Sequence, residues 1–192
     1  MTFPASLAAI VLFLQLPIPL YWFVLHPLRV SWRRYPRAVY VVGLSCSWLP
    51  VAIAIVVFHR KLFVDTWPST IRLTSGLALI VFEAWVFWGV RRDLGTARLV
   101  GKTELEGTGE IERGGIYSRI RHPRYLASFL ALLGACFLAG GRLMYLAVAV
   151  WWALMAVVIA LEEREMRTRF GAAYRDYSRK VPRFFPRRES RN

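Results

Sequence analysis

The chain has 192 residues, of which 56% are hydrophobic, and it carries a net charge of +14. So basic a soluble domain would hold far fewer apolar residues, and a nucleic-acid binder would not confine its Lys and Arg to blocks between long apolar runs. A membrane protein with basic loops accounts for both facts.

Taken in order, the chain shows about five apolar runs: Pro4–Leu25, Ala38–Phe58, Ile71–Val90, Tyr125–Ala139 and Leu143–Leu161. Each is near the roughly 20 residues that a helix needs to cross a bilayer. The N-terminus has no basic region before its apolar stretch, so a retained first helix is expected rather than a cleaved leader. Pro17 and Pro19 should kink that helix. The fourth run is short and is joined to the fifth only by Gly140-Gly141-Arg142, which predicts a tight helical hairpin. The fold class expected is all-α, a multi-pass membrane protein of one domain: residues 1–70 hold two spans and their loops, 71–186 a core, and 187–192 a basic tail.

Lys and Arg divide 22 against 4 between alternate sides of these spans. The positive side faces the cytoplasm, which places the N-terminus outside and the C-terminus inside, in the plasma membrane of a prokaryote or the endoplasmic reticulum of a eukaryote. After the fifth span, Met166, Phe170, Tyr174, Tyr177 and Val181 recur at helical spacing among charges. They predict an amphipathic helix lying along the cytoplasmic interface among anionic membrane lipids. Cys46 and Cys136 lie in apolar runs and are expected in the core. The three histidines, His26, His59 and His122, have no metal-ligand spacing, so no metal site is expected.

The long polar segment between the third and fourth spans contains Gly101-Lys102-Thr103. It is not a phosphate loop, because its glycine spacing is wrong and no strand precedes it. The stretch Arg113–Ser128, RGGIYSRIRHPRYLAS, is the most informative. A residue before proline leaves the α region and proline suits the first turn, so His122 should be the N-cap and Pro123 the first helical residue. Arg119, Arg121 and Arg124 crowd the same end, which makes an anion-reading corner at the membrane surface. Glu162-Glu163 falls on the same side. It either pairs with Arg164 or Arg167, or binds a cationic or hydroxyl-rich ligand. Glu83, an ionisable residue in the middle of the third span, is a candidate for substrate binding or a partner for a loop arginine.

Two sets of residues then resemble the signature of the isoprenylcysteine carboxyl methyltransferases and phospholipid methyltransferases of membranes. The first is Gly115-Ile116-Tyr117 followed by Arg121-His122-Pro123-x-Tyr125. The second is Glu162-Glu163, Phe170-Gly171-x-x-Tyr174-x-x-Tyr177, Val181-Pro182-Arg183 and Pro186, with Asp93-Leu94-Gly95 also similar. The resemblance implies a helical membrane enzyme that uses S-adenosylmethionine on its cytoplasmic side and methylates a lipid or lipid-attached carboxylate or amine. By position it implies cofactor-binding roles for Tyr117, His122, Pro123, Arg124, Tyr125 and Glu162, and makes Arg121 and Glu163 the candidates for catalysis or support. Residues near Glu110-Ile111 would close over the cofactor. Ala127 stands where the family often has glycine, an extra methyl where helix and cofactor would meet, with room to narrow the pocket but expected to be tolerated. The competing classes are a nicotinamide-dependent membrane sterol reductase, which an NADPH titration tests, and a non-catalytic lipid-binding protein.

Overall fold

The structure, a computed structural model, describes residues 1–23, 36–99 and 110–186. His26, Gly101-Lys102-Thr103 and the tail 187–192 lie outside them. Among the described residues every regular element is a helix, apart from an isolated bridge between Phe63 and Gly140. The elements are α1 (Phe3–Gln15), α2 (Pro36–Val57), α3 (His59–Leu62), α4 (Thr70–Leu99), a 3₁₀ turn (Gly115–Ser118), α5 (Pro123–Ala139), α6 (Arg142–Phe170) and α7 (Ala172–Lys180).

Three stretches are long and apolar enough to cross a membrane: Phe3–Phe23, Thr70–Gly95 and Arg142–Phe170. Two shorter apolar helices, Val41–Val57 and Pro123–Ala139, complete the five predicted spans. Large side chains such as Val81, Trp85 and Trp88 face outward from α4, as lipid-facing residues do. The predicted kink is present. Helix α1 ends at Gln15, and residues 18–23 are helical again after a turn at 16–17. Pro19 has no N–H to give the Gln15 carbonyl, and the indole N–H of Trp151 on α6 donates to it instead, at 2.9 Å.

One of the two shorter apolar helices is the centre of the bundle. At 17 residues α5 is about 25 Å long, and most of its length is buried. Helices α4 and α1 pack along it, and α6 folds back against it. Small residues set the closest contact: a Cβ on Gly134 would stand 2.7 Å from the Gly76 carbonyl, so α4 and α5 meet backbone to backbone. The hairpin between α5 and α6 turns on Gly140, left-handed at φ 74°, with Gly141 as the next N-cap. The turn is closed by the Val64 N–H, which donates to the Ala139 carbonyl at 2.9 Å.

Three expectations are corrected. Cys136 is buried but Cys46 is exposed, because lipid accepts an apolar flank that water would not. The stretch from Met166 to Val181 is not one helix, since Gly171 at φ 53° breaks it between α6 and α7. Its apolar face also turns inward: Tyr174, Tyr177 and Val181 are buried against Ile111, Met166 and Phe170. The loop before the His-Pro step covers that face where lipid was expected.

Candidate active site

The site is built from the turn that precedes α5. Near the end of α4, Asp93 Oδ2 accepts the Ile116 N–H at 3.0 Å. Gly115 sits there at φ 51°, and a Cβ on it would collide with the Asp93 carboxylate. Only glycine permits this turn, and the turn sets Tyr117 inward, 9% exposed, with its carbonyl accepting the Tyr177 hydroxyl at 2.7 Å. The segment before it is latched to α7. Arg113 donates to the Ala173 carbonyl at 3.2 Å, and Ile111 packs among the α7 tyrosines. Asp93 and the Gly115-Ile116-Tyr117 turn, 22 to 24 positions apart, thus form two halves of one clasp.

His122 is the N-cap of α5 and Pro123 its first residue, as predicted. The imidazole makes no capping bond. It points instead to Glu163, with Nε2 3.2 Å from Oε1, and stacks on Tyr125 at 5.7 Å between ring centres. Tyr125 donates its hydroxyl to Glu162 Oε2 at 2.8 Å. Arg124 lays its guanidinium over Trp22, 5.4 Å from the ring centre.

These residues surround an open cavity. Tyr117, Arg121, His122, Arg124, Tyr125 and Glu162 line it together. Glu110, Ile111 and Glu112 form part of the same wall, where a cover was expected. Trp22, Leu94, Arg169, Phe170, Tyr174 and Tyr177 complete much of the rest. Trp22 carried no sequence signal, because nothing in the first span marks which of its aromatics reaches the corner.

The two glutamates part company. Glu162 faces the cavity, whereas Glu163 is buried behind the wall, 1% exposed at its side chain. Its carboxylate takes Arg121 at 3.3 Å, His122 at 3.2 Å, Arg167 at 3.0 Å, and both Nε and a terminal nitrogen of Arg183 at 3.0 and 2.7 Å. A buried carboxylate survives only with such partners. The expected pairing with Arg167 is made by Glu163, and Glu162 is the residue of the pair that faces the cavity. Pro123 is buried in the helix start and does not line the cavity. Glu83 is elsewhere, half-buried in mid-α4, with Gln15 Nε2 3.5 Å from its Oε1.

Ala127 also lies away from the cavity. It is buried against Val86, Val90 and Tyr117, so its extra methyl fills the contact between α4 and α5 and does not narrow the pocket. The phenols of the wall are neutral: burial pushes Tyr117 and Tyr177 up, and Tyr174 to about 12, with Glu163 adding to the rise at Tyr174. They serve as hydrogen-bonding groups and flat surfaces, not as bases.

Fold and site together define a helical integral membrane protein with a charged, aromatic-walled cavity at one end of its bundle. The phospholipid methyltransferase family model matches residues 71–173, and the chain belongs to that family. It is similar to the nickel-cobalt-cadmium resistance protein NccN of Alcaligenes xylosoxydans xylosoxydans, 30% identical over 71% of this chain and 60% of that one. Methanethiol S-methyltransferase 2 of Bradyrhizobium diazoefficiens is 27% identical over 62% of this chain and 51% of its own length. The protein-S-isoprenylcysteine O-methyltransferase of Schizosaccharomyces pombe is 36% identical over 38% of this chain and 31% of its own. The chain thus spans 60% and 51% of the first two relatives. No solved structure matches it.

Proposed function

We propose that the protein transfers the methyl group of S-adenosylmethionine to a lipophilic acceptor at the cytoplasmic membrane face. One observation carries this above the others. The His-Pro motif and Glu162, 37 positions apart at the Tyr125–Glu162 hydrogen bond, line a single cavity that offers cations, a carboxylate and aromatic faces together.

The donor set suits the cofactor. Arg121 lines the cavity, and its Nε–H is a buried donor with no hydrogen-bond partner among the described residues, apt for the amino-acid carboxylate. Arg124 adds positive charge beside it. Glu162 keeps one oxygen on Tyr125 and offers the other to ribose hydroxyls or to the cationic part of the cofactor. Tyr117, Tyr125 and the His122 ring supply flat surfaces for the base, and Pro123 fixes the backbone on which His122, Arg124 and Tyr125 stand. The bound cofactor supplies an electrophilic methyl group. Transfer is an in-line displacement, so the chain contributes chiefly by holding the cofactor and acceptor in line and excluding water.

The acceptor is a lipid or lipid-attached nucleophile, with a carboxylate, amine or thiol as its reacting group. The names of the family and relatives print a phospholipid, the sulfur of methanethiol and an oxygen of protein-S-isoprenylcysteine as methyl acceptors. Glu83 serves the acceptor side: it is a carboxylate in the bilayer interior, away from the cavity, and such residues are retained for a ligand or proton path. The N-terminus is outside and the C-terminus cytoplasmic, as the basic residues divide.

The test is S-adenosylhomocysteine binding to detergent-purified protein, measured by calorimetry. Wild type should bind, and Glu162→Ala and His122→Ala should bind at least about tenfold more weakly. Failure of wild type to bind would overturn the proposal. Lipid mass spectrometry of cells with and without the protein then identifies the acceptor by a gain of one methylene mass.

A further inference from the structure

We propose that Arg183 and Phe184, on the segment after α7, are positioning residues for the cavity. They act through Glu163 and the His122 ring. The inference extends the proposed cofactor site to residues that do not touch it.

Helical geometry ends at Val181, whose φ of −105° and ψ of 121° are extended and whose side chain is buried beside Tyr174 and Tyr177. From that anchor the chain crosses the start of α5. The Pro182 carbonyl accepts the Arg121 N–H at 2.9 Å, and the Arg183 carbonyl accepts the His122 N–H at 3.0 Å. Amides at a helix start have no carbonyl one turn earlier to bond, so the crossing segment satisfies two donors that the helix cannot. The backbone of Arg121 and His122 is thereby held from outside α5.

The side chains repeat this grip. The Arg183 fork meets both oxygens of Glu163, and the same carboxylate takes His122 and Arg121. Phe184 lies 6.0 Å from the His122 ring and 5.3 Å from Trp152, closing the side of the imidazole away from solvent. His122 in turn stacks on Tyr125, which holds Glu162. A continuous set of contacts therefore runs from the strap to four groups on the cavity wall: Arg121, His122, Tyr125 and Glu162.

Arg183 is 51% exposed and does not line the cavity, and Glu163 keeps Arg121, His122 and Arg167 without it. Removing it should loosen the wall without stranding the buried carboxylate. This separates positioning from folding.

The experiment uses the full chain in detergent. Arg183→Ala should weaken S-adenosylhomocysteine binding about tenfold and Phe184→Ala by a smaller factor. Arg183→Lys, a point charge in place of a fork, should recover part of the loss. Exposed Arg175→Ala should leave binding unchanged. A second readout needs no cofactor: the rate at which diethylpyrocarbonate modifies buried His122, followed by peptide mass mapping. That rate should rise severalfold in Arg183→Ala and Phe184→Ala while helicity stays that of wild type. Binding and His122 reactivity equal to wild type in both variants would overturn the proposal. If Arg183→Ala does not fold, Arg183→Lys and Phe184→Ala decide. If wild type binds no S-adenosylhomocysteine, the proposed function fails, and the reactivity of His122 still tests the strap.

Discussion

The two ends of the α5–α6 hairpin are built on opposite principles. At the turn the chain closes backbone on backbone: Gly140 turns, the Val64 amide reaches the Ala139 carbonyl, and Gly141 sits against the Leu62 carbonyl so closely that no Cβ would fit. At the other end long side chains hold the elements apart, and an open cavity lies among them. Small residues make a hinge-like closure and charged and aromatic ones make room. Pinning one end firmly lets the other be hollow without the bundle losing its register.

The open end depends most on Glu163. Glu163→Leu leaves Arg121 and His122 facing an apolar group inside the wall, and should cost about 3–5 kcal/mol, read as a fall in the denaturant midpoint in mixed micelles together with loss of cofactor binding. An unchanged midpoint would mean that the cation cluster does not hold the open end. Gly134→Leu attacks the shared wall of α4 and α5. Overpacking against Gly76 should cost roughly 2–3 kcal/mol and lower thermal stability, with any loss of cofactor affinity following from that.

Tyr125→Phe is milder and confined to the cavity. It removes the hydroxyl bond to Glu162, and cofactor affinity should fall about fivefold with thermal stability within about 1 kcal/mol of wild type. Glu83→Gln should change least at the open end: S-adenosylhomocysteine binding stays that of wild type, while turnover with the acceptor, once identified, falls. A parallel loss of cofactor binding would place Glu83 in the wrong half of the site.

Much of this was legible beforehand. The five apolar helices, the Pro17–Pro19 kink, the hairpin and the N-cap at His122 followed from hydropathy and from local proline and glycine chemistry, which act over a few residues. The cluster of Tyr117, Arg121, His122, Arg124, Tyr125 and Glu162 was visible because two recognisable motifs had to share one membrane face. The inward turn of the Tyr174 and Tyr177 face was not legible. An amphipathic pattern states that one side needs an apolar partner, and lipid and protein satisfy it equally.

The chain's composition and spacing alone determined that it crosses a membrane, roughly where it crosses, and which corner gathers charge. Those properties depend on hydrophobic length and on backbone preferences of single residues. Only the tertiary structure separated Glu162 from Glu163, since adjacent residues on one helix differ by about 100° in direction and a neighbouring segment decides which direction is cavity and which is core. It likewise decided that Asp93 supports the turn at Gly115, that Trp22 lies under Arg124, and that Arg183 returns to grip the start of α5. Contacts of that kind join residues tens of positions apart, and no local pattern carries their geometry.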